Sequence, residues 1–301
     1  MAGSNRKVKG KEQQEPKKEP VKDFLKDLVF VLVSFFFLNS FVLASFEVPT
    51  GSMENEIMAG DFLFVNKFIY GGTTPRTIPF TNVRLPWFRV PAFRDVRRGD
   101  VIVFEFPGQR EEIQSPEFMF YLKRCVALSG DTIQVINRIL YVNGKPSPIP
   151  RNMKFNNLNP RPQGYADPKI FPRDAAFNED FWGPVVVPRQ GDVLDLNSST
   201  YARWNTFIAR EGHRVRLDER ARVTVDGVPA TTYVVRRNYL FGMGDNRDNS
   251  LDSRFWGFIP EENIVGTPMI VYWSWDPDRP LTSLVDKIAS IRLGRIGTLI
   301  R

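Results

Sequence analysis

Ser52 and Lys123 are the two residues whose surroundings suit them to covalent chemistry. Ser52 lies in FEVPTGSMENEI (residues 46–57), in a Pro-Thr-Gly-Ser turn placed directly after a long uncharged run. Gly-Ser turns are common in loops, so the turn alone says little. A serine hydroxyl at neutral pH is a poor nucleophile and needs a base beside it. The one histidine, His213, sits in the polar, Arg-rich stretch AREGHRVRLDER and reads as a solvated loop or edge residue. A Ser-His-Asp triad, or a metal site built from histidine and cysteine, would have to use that residue. The other bases are a carboxylate or a neutral lysine. Lys123 stands out in FMFYLKRCVAL, with five apolar or aromatic residues before it and Cys125-Val126-Ala127-Leu128 almost directly after. Strand alternation sends Lys123 and Cys125 to one face, Leu122 and Arg124 to the other. Desolvation lowers a lysine pKa by as much as about 3 to 5 units from about 10.4, which makes this amine a candidate general base. A lysine snorkelling from a strand edge is the plainer reading of the same residues.

A third stretch, GDNRDNSLDSRFWGFIP (244–260), is dense in groups that satisfy one another. Asp245, Asp248 and Asp252 with Asn246 and Asn249 suggest a calcium loop. The stretch lacks the central glycine and terminal bidentate glutamate of an EF-hand, however, and Arg247 and Arg254 supply counter-charge from within. Such a loop suits holding a neighbouring site rigid: Ser250 and Asp252 can orient the lysine, and Arg254 can neutralise Asp252.

These residues need elements to carry them. The chain has 301 residues, 42% hydrophobic and 25% charged, enough for one large or two modest domains with a real core. A net charge of +7 would suit nucleic acid, but the basic residues are scattered and part of the excess lies in the first 27 residues, so it reads as membrane-surface bias. A single cysteine excludes an intramolecular disulfide. Residues 1–27, with eight Lys/Arg against five acids, read as a disordered basic tail. Leu28 to Phe46 follow without a charge, long enough for one membrane-spanning helix. A cleaved signal peptide would have a shorter apolar core, so an uncleaved anchor is favoured, with the tail cytoplasmic and the rest outside.

Beyond the anchor the chain reads as short antiparallel β segments, clearest at Asp61–Lys67, Asp100–Phe106, Phe118–Leu128, the hairpin Thr132–Val142, Arg222–Val235, Tyr239–Met243 and Ile264–Trp275. Helices are expected at Ser199–Arg210 and Leu281–Ser290. The Pro- and Asn-rich passage after Asn143 regains strand character before Tyr233, so 143–233 reads as an inserted subdomain between the two parts of a β domain, 47–142 and 234–301. The rings of Phe80, Trp87, Phe88 and Phe93, with Arg84 and Arg89 between them, and a second cluster at Tyr272, Trp273 and Trp275, suggest further contact with lipid headgroups.

Five ordered boxes together resemble the type I signal peptidases, also called leader peptidases, membrane-anchored Ser/Lys enzymes that remove signal peptides from exported proteins. The boxes are PTGSM at 49–53, GDFLFVNKFIYG at 60–71, RRGDVIVFEFP at 97–107, YLKRCVALSGD at 121–131 and GDNRDNSLDSRFWGFIP at 244–260. The resemblance implies a mostly β, antiparallel signal-peptidase fold after one N-terminal transmembrane helix, in the bacterial cytoplasmic (inner) membrane. It makes Ser52 the nucleophile and Lys123 the base, with Ser250 positioning the lysine and Asp252 and Arg254 bracing the site. Thr50 Oγ, where many relatives have Ser, and the Ser52 amide would form the oxyanion hole. Phe46, Val48, Met53, Ile57, Tyr121 and Leu122 would line shallow pockets for small residues at the first and third positions before the cut. The implied partners are signal peptides of preproteins, the lipid bilayer and, by proximity, the protein-export channel; no cofactor, metal or nucleic acid is implied. One departure stands out. After Ser-Met many relatives have a Pro-Thr pair before an apolar residue, whereas this chain has Asn55-Glu56 before Ile57.

Two other readings compete. A related Ser/Lys protease such as a self-cleaving SOS repressor would have a DNA-binding helical domain before Ser52, where this chain has an apolar anchor. A catalytically silent single-pass membrane protein would be free to lose one of Ser52, Lys123 and Ser250, yet all three are present.

Overall fold

The computed structural model describes residues 20–78, 83–280 and 282–301; the first 19 residues of the expected tail, Phe80 and Leu281 lie outside them. The chain enters through α1 (Pro20–Phe37), continues through a π-helical turn (Leu38–Val42) and passes straight into a strand. The helix begins within the stretch expected as tail, because Val21, Phe24, Leu25 and Leu28 recur at i, i+3, i+4 and i+7 and extend the helical period upstream. The expected helix end at Phe46 is also corrected. Leu43 to Glu47 pair with Asn66 to Phe62, so the last part of the apolar run is sheet. The helical segment Val21–Val42 has 22 residues and a mean hydropathy of 1.9, with its side chains facing outward almost throughout. At 1.5 Å per residue it is about 33 Å long, enough for a bilayer core.

A seven-stranded antiparallel sheet forms the body. Its spatial order is β1 (Leu43–Glu47), β2 (Asp61–Asn66), β16 (Ile264–Ser274), β3 (Val101–Glu105), β4 (Phe120–Ala127), β14 (Tyr239–Met243) and β15 (Ile259–Pro260). Every residue of β3, VIVFE, is buried because both of its faces are covered. Val101 and Val103 pack with Val48, Met53, Ile57 and Leu63, while Ile102 and Phe104 pack with Cys125, Trp256 and Ile264.

A second sheet has the order β7 (Lys145–Pro146), β6 (Ile139–Val142), β5 (Thr132–Ile136) and β8 (Phe181–Val186). Smaller pieces follow and, with that sheet and the loops between them, make up a second lobe: β9 (Val193–Asp195) pairs with β13 (Thr232–Val234), and β10 (Val215–Leu217), β11 (Val223–Val225) and β12 (Val228–Pro229) form a meander after α2 (Tyr201–Arg210). The expected boundary at residue 143 falls inside the second sheet, because the hairpin before it pairs with β7 and β8 rather than with the main sheet. The core is shared too: Ile133, Trp182, Phe207 and Tyr233 pack in one cluster with Val126 and Ala127 of β4 and Phe241 and Met243 of β14. Two short helices, α3 (Ser253–Trp256) and α4 (Leu284–Ala289), flank β15 and follow β16.

Trp87, Phe88 and Phe93 are exposed. Arg84 and Arg89 are not free to meet lipid phosphate as expected. Arg84 pairs with Glu105, and Arg89 donates to the carbonyls of Glu262 and Ile264.

The end of the π turn is clamped to the β domain. Lys67 N donates to Val42 O (2.9 Å) and Lys67 Nζ to Asn39 O (3.1 Å). Gly72 meets the turn backbone to backbone: a Cβ there would stand 2.3 Å from Phe41 O and 2.4 Å from its Cα. Gly72→Ala should therefore lower stability by about 1 to 3 kcal/mol, the usual cost of overpacking. The urea midpoint of the full-length protein in detergent measures this, and an unchanged midpoint would show that the helix end is not seated against Gly72.

Candidate active site

Ser52 lies in the tight turn that carries the chain from β1 back to β2. Glu54 N donates to Gly51 O (3.0 Å) and Ile57 N to Met53 O (2.8 Å), while Met53 and Ile57 sink into the core and pin the turn from below. From the other side, Asn246 N donates to Ser52 O (3.0 Å) and Asn246 Nδ2 to Gly51 O (3.1 Å). Gly244 permits this approach, since a Cβ there would lie 2.2 Å from Ser250 Oγ and 2.6 Å from Ser52 O.

Lys123 reaches the same point from β4. Its Nζ is 2.7 Å from Ser52 Oγ and 3.1 Å from Leu122 O, and the residue is only 4% exposed. Burial lowers its pKa from the ordinary 10.5 to about 8; Asp252 pulls it up and Arg254 pushes it down by smaller amounts. At pH 7 that shift leaves about 300-fold more neutral amine than an ordinary lysine would have. The structure thus gives a buried amine on the serine, not a snorkelling strand-edge lysine.

The supporting loop is organised by two buried ion pairs. Arg254 grips Asp252 through Nε–Oδ1 (2.9 Å) and Nη2–Oδ2 (2.8 Å), and its Nη2 also donates to Arg247 O (2.7 Å). Burial alone would raise the Asp252 carboxyl, but the Arg254 guanidinium outweighs it and holds the carboxyl below its usual range. Asp252 also accepts from Arg254 N (3.1 Å) as the N-cap of α3, and from Gly244 N (3.1 Å). Arg124 holds Asp245 through Nε (2.9 Å) and Nη2 (2.6 Å). Ser250 is buried beside the pair, but its Oγ makes no hydrogen bond to Lys123; that amine is turned to Ser52 and Leu122 O instead.

A cleft of about 450 Å³ opens above Ser52 and Lys123. Five of the six expected pocket residues, Phe46, Val48, Met53, Tyr121 and Leu122, line it, and Thr50 stands on its wall. Ile57 does not line it. Its side chain is wholly buried in the cluster of Val101, Val103 and Leu63, because the turn after Met53 points it into the core. Phe120, Val103, Leu251 and Phe255 line the cleft without having been singled out. For Phe120 a signal existed, since it shares a strand face with Leu122. Leu251 and Phe255 arrive from a loop more than 120 residues further along.

His213 borders a different cavity, beside Tyr233 and Arg236. Its Nδ1 is 2.6 Å from Asp226 Oδ2 and its side chain is only 12% exposed, so it is a paired residue of the second lobe rather than a solvated one.

The family profile described as "Signal peptidase, peptidase S26" matches residues 21–273. The chain is 30% identical to the signal peptidase I of Buchnera aphidicola subsp. Schizaphis graminum over 300 residues, 93% of this chain and 83% of that protein. It is also 30% identical to the signal peptidase I of Haemophilus influenzae, over 89% of this chain and 74% of that one, and 29% identical to that of Aquifex aeolicus, over 82% of each. A crystal structure of a signal peptidase I from Enterococcus faecalis V583 aligns at 19% identity over 58% of this chain and 97% of its own, with a TM-score of 0.27, too low to carry an argument.

Burying Lys123 costs stability, and the sign of the effect can be measured. Its folded pKa lies below its unfolded one, so the cost, about 3 kcal/mol, is fully present below pH 8 and disappears as pH rises to about 10.5. Lys123→Met should therefore be more stable than the parent by about 1 to 3 kcal/mol at pH 7, with the gap closing towards pH 10. Denaturant titrations at both pH values test this; a less stable variant at pH 7 would mean that the amine is not desolvated.

Proposed function

The chain belongs to the signal peptidase, peptidase S26 family, and from that premise we propose that it cleaves signal peptides from preproteins as a membrane-anchored endopeptidase with Ser52 as nucleophile and Lys123 as general base. The observation that carries this reading is the 2.7 Å approach of a buried, pKa-lowered amine to a serine hydroxyl on the floor of an apolar cleft. Neutral Lys123 takes the hydroxyl proton as Ser52 Oγ attacks the peptide carbonyl. The Ser52 amide and Thr50 Oγ hold the oxyanion. Protonated Lys123 then gives its proton to the leaving amine, and in its neutral form activates the water that hydrolyses the acyl-enzyme.

Substrate geometry follows from two unpaired strand edges. β1 is the outer strand of its sheet, and β14 pairs with β4 only from Arg124 onward, so among the described residues Phe120 to Lys123 have no strand partner on that side. Both edges border the cleft, so an extended peptide can enter as an added strand, held by its main chain. The rings of Phe46 and Phe120, 5.0 Å apart, narrow the space for its side chains and favour small residues. In this reading α1 and the π turn form the anchor, with the β domain outside. Ser52 is then ten residues past Val42 (52 − 42), no more than about 33 Å from the end of the helix.

Cleavage of a model preprotein by the full-length protein in detergent, compared with Ser52→Ala, tests the assignment; an equally active alanine variant removes it. The neutral lysine is the working form, so kcat/KM should rise with pH and level off above about 8. Lys123→Arg should be as inactive as Lys123→Ala, because guanidinium keeps its proton. A rate that is flat from pH 6 to pH 9, or an active arginine variant, would point to another base.

Thr50 has its own test. Loss of one oxyanion donor typically lowers kcat about 100- to 1000-fold. Thr50→Val should show a fall of that order while Thr50→Ser stays active; equal rates for Thr50→Val and the parent would place the second donor elsewhere.

A further inference from the structure

The turn after Ser52 is closed by the two residues that depart from the family pattern. Asn55 has φ +81°, a left-handed conformation that proline, fixed near −65°, does not adopt. This turns Glu56 inward until it is only 8% exposed. Its carboxylate accepts from Arg301 N (2.7 Å) and from Asn152 Nδ2, and its main-chain oxygen accepts from Arg295 Nη2 (2.9 Å). Glu56 thus ties the nucleophile turn to the second lobe at Asn152 and to the segment at 298–301, which runs beside β16 through the Ile270–Leu299 bridge.

From there the contacts lead back to the base. Arg301 O accepts from Arg124 Nη1 (3.1 Å). Arg124 follows Lys123 on β4 and holds Asp245, and the next residue, Asn246, donates its N–H to Ser52 O. The path Ser52, Glu56, Arg301, Arg124, Asp245–Asn246 and back to Ser52 is a closed ring, with Lys123 attached to it beside Arg124.

We propose that Glu56 is a positioning residue, whose carboxylate closes this ring and so sets the spacing between Ser52 Oγ and Lys123 Nζ. The proposal rests on the reading of that pair as nucleophile and base. Met53 and Ile57 already seat the turn by apolar packing, so what Glu56 adds is directional: two acceptor oxygens aimed at two distant segments. A reacting pair displaced by about 1 Å can lose about 100-fold in rate. A slackened ring also admits water to the amine and raises its pKa.

The test uses the full-length protein in detergent with a soluble peptide that has small residues at the first and third positions before the cut. Glu56→Ala is expected to lower kcat about 10- to 100-fold with KM within about twofold, and to move the midpoint of the pH–rate profile upward by about half a unit or more. Glu56→Gln keeps an acceptor for Arg301 N and should recover most of the lost kcat. A folded Glu56→Ala with parental kcat and midpoint overturns the proposal, as does a loss confined to KM. If Glu56→Ala does not fold, Glu56→Asp serves: its shorter side chain should lower kcat about 3- to 10-fold, and an unchanged kcat overturns the proposal. Ser52→Ala and Lys123→Ala run alongside. If these stay active the catalytic reading falls, whereas if they are inactive and Glu56→Ala is normal, only the role of Glu56 falls.

Discussion

The site depends on keeping one amine away from water. Lys123 is surrounded by Leu122, the apolar cleft wall and the close backbone of Gly242, where an added Cβ would come within 3.1 Å of Lys123 Cβ. Desolvation penalises the charged form, so the apolar wall weakens the amine's hold on its proton. A bare Asp252 beneath the amine would undo this by drawing the proton back. Arg254 prevents that by saturating both carboxylate oxygens. The pair holds the loop firmly yet leaves little net charge facing Lys123, and this explains why a loop so rich in ionised groups can lie under an amine with a lowered pKa.

The second lobe contributes through the same loop. Lys154 N donates to Asp245 O (2.9 Å) and Arg247 N to Lys154 O (3.0 Å), while the amides of Asn156 and Asn157 both donate to Asp248 (2.7 Å). Lys154 Nζ also meets Glu54, two residues after Ser52, at 2.8 Å. A passage that composition marks as Pro- and Asn-rich insertion thus becomes a splint along the loop. Its backbone bonds need no particular side chains, which suits a stretch with so little apolar periodicity.

Local chemistry was the legible part of the sequence. Ser52 and Lys123 stand out by type and neighbours, and apolar runs rich in Val, Ile and Phe mark most of the main strands, β2 by its alternation and β3 and β14 as continuous runs buried on both faces. Limits appeared wherever a distant partner decides. Hydropathy could not show that Leu43 to Phe46 leave the helix, since their state is set by pairing with β2. The family resemblance puts Ile57 in the pocket, but the left-handed Asn55 sends it to the core. Glu56 and Arg301 are 245 positions apart, and Arg124 and Asp245 are 121 apart; neither pairing leaves a mark in local spacing. The strand order, with β2 beside β16, is hidden for the same reason.

The helix meets β1 with no linker between them, and its last turn is clamped at Lys67 and Gly72. With that helix in a bilayer, the cleft has one fixed altitude and tilt, and rotation about the helix axis is its chief remaining freedom. Encounters then reduce from a search through a volume to lateral drift in a plane plus an azimuth. A flexible loop with small residues, carried on a folded domain at another altitude, never meets the cleft. A poor sequence tethered at the right level meets it repeatedly. On the proposed function, discrimination between cut and uncut chains is in this sense topographic before it is chemical.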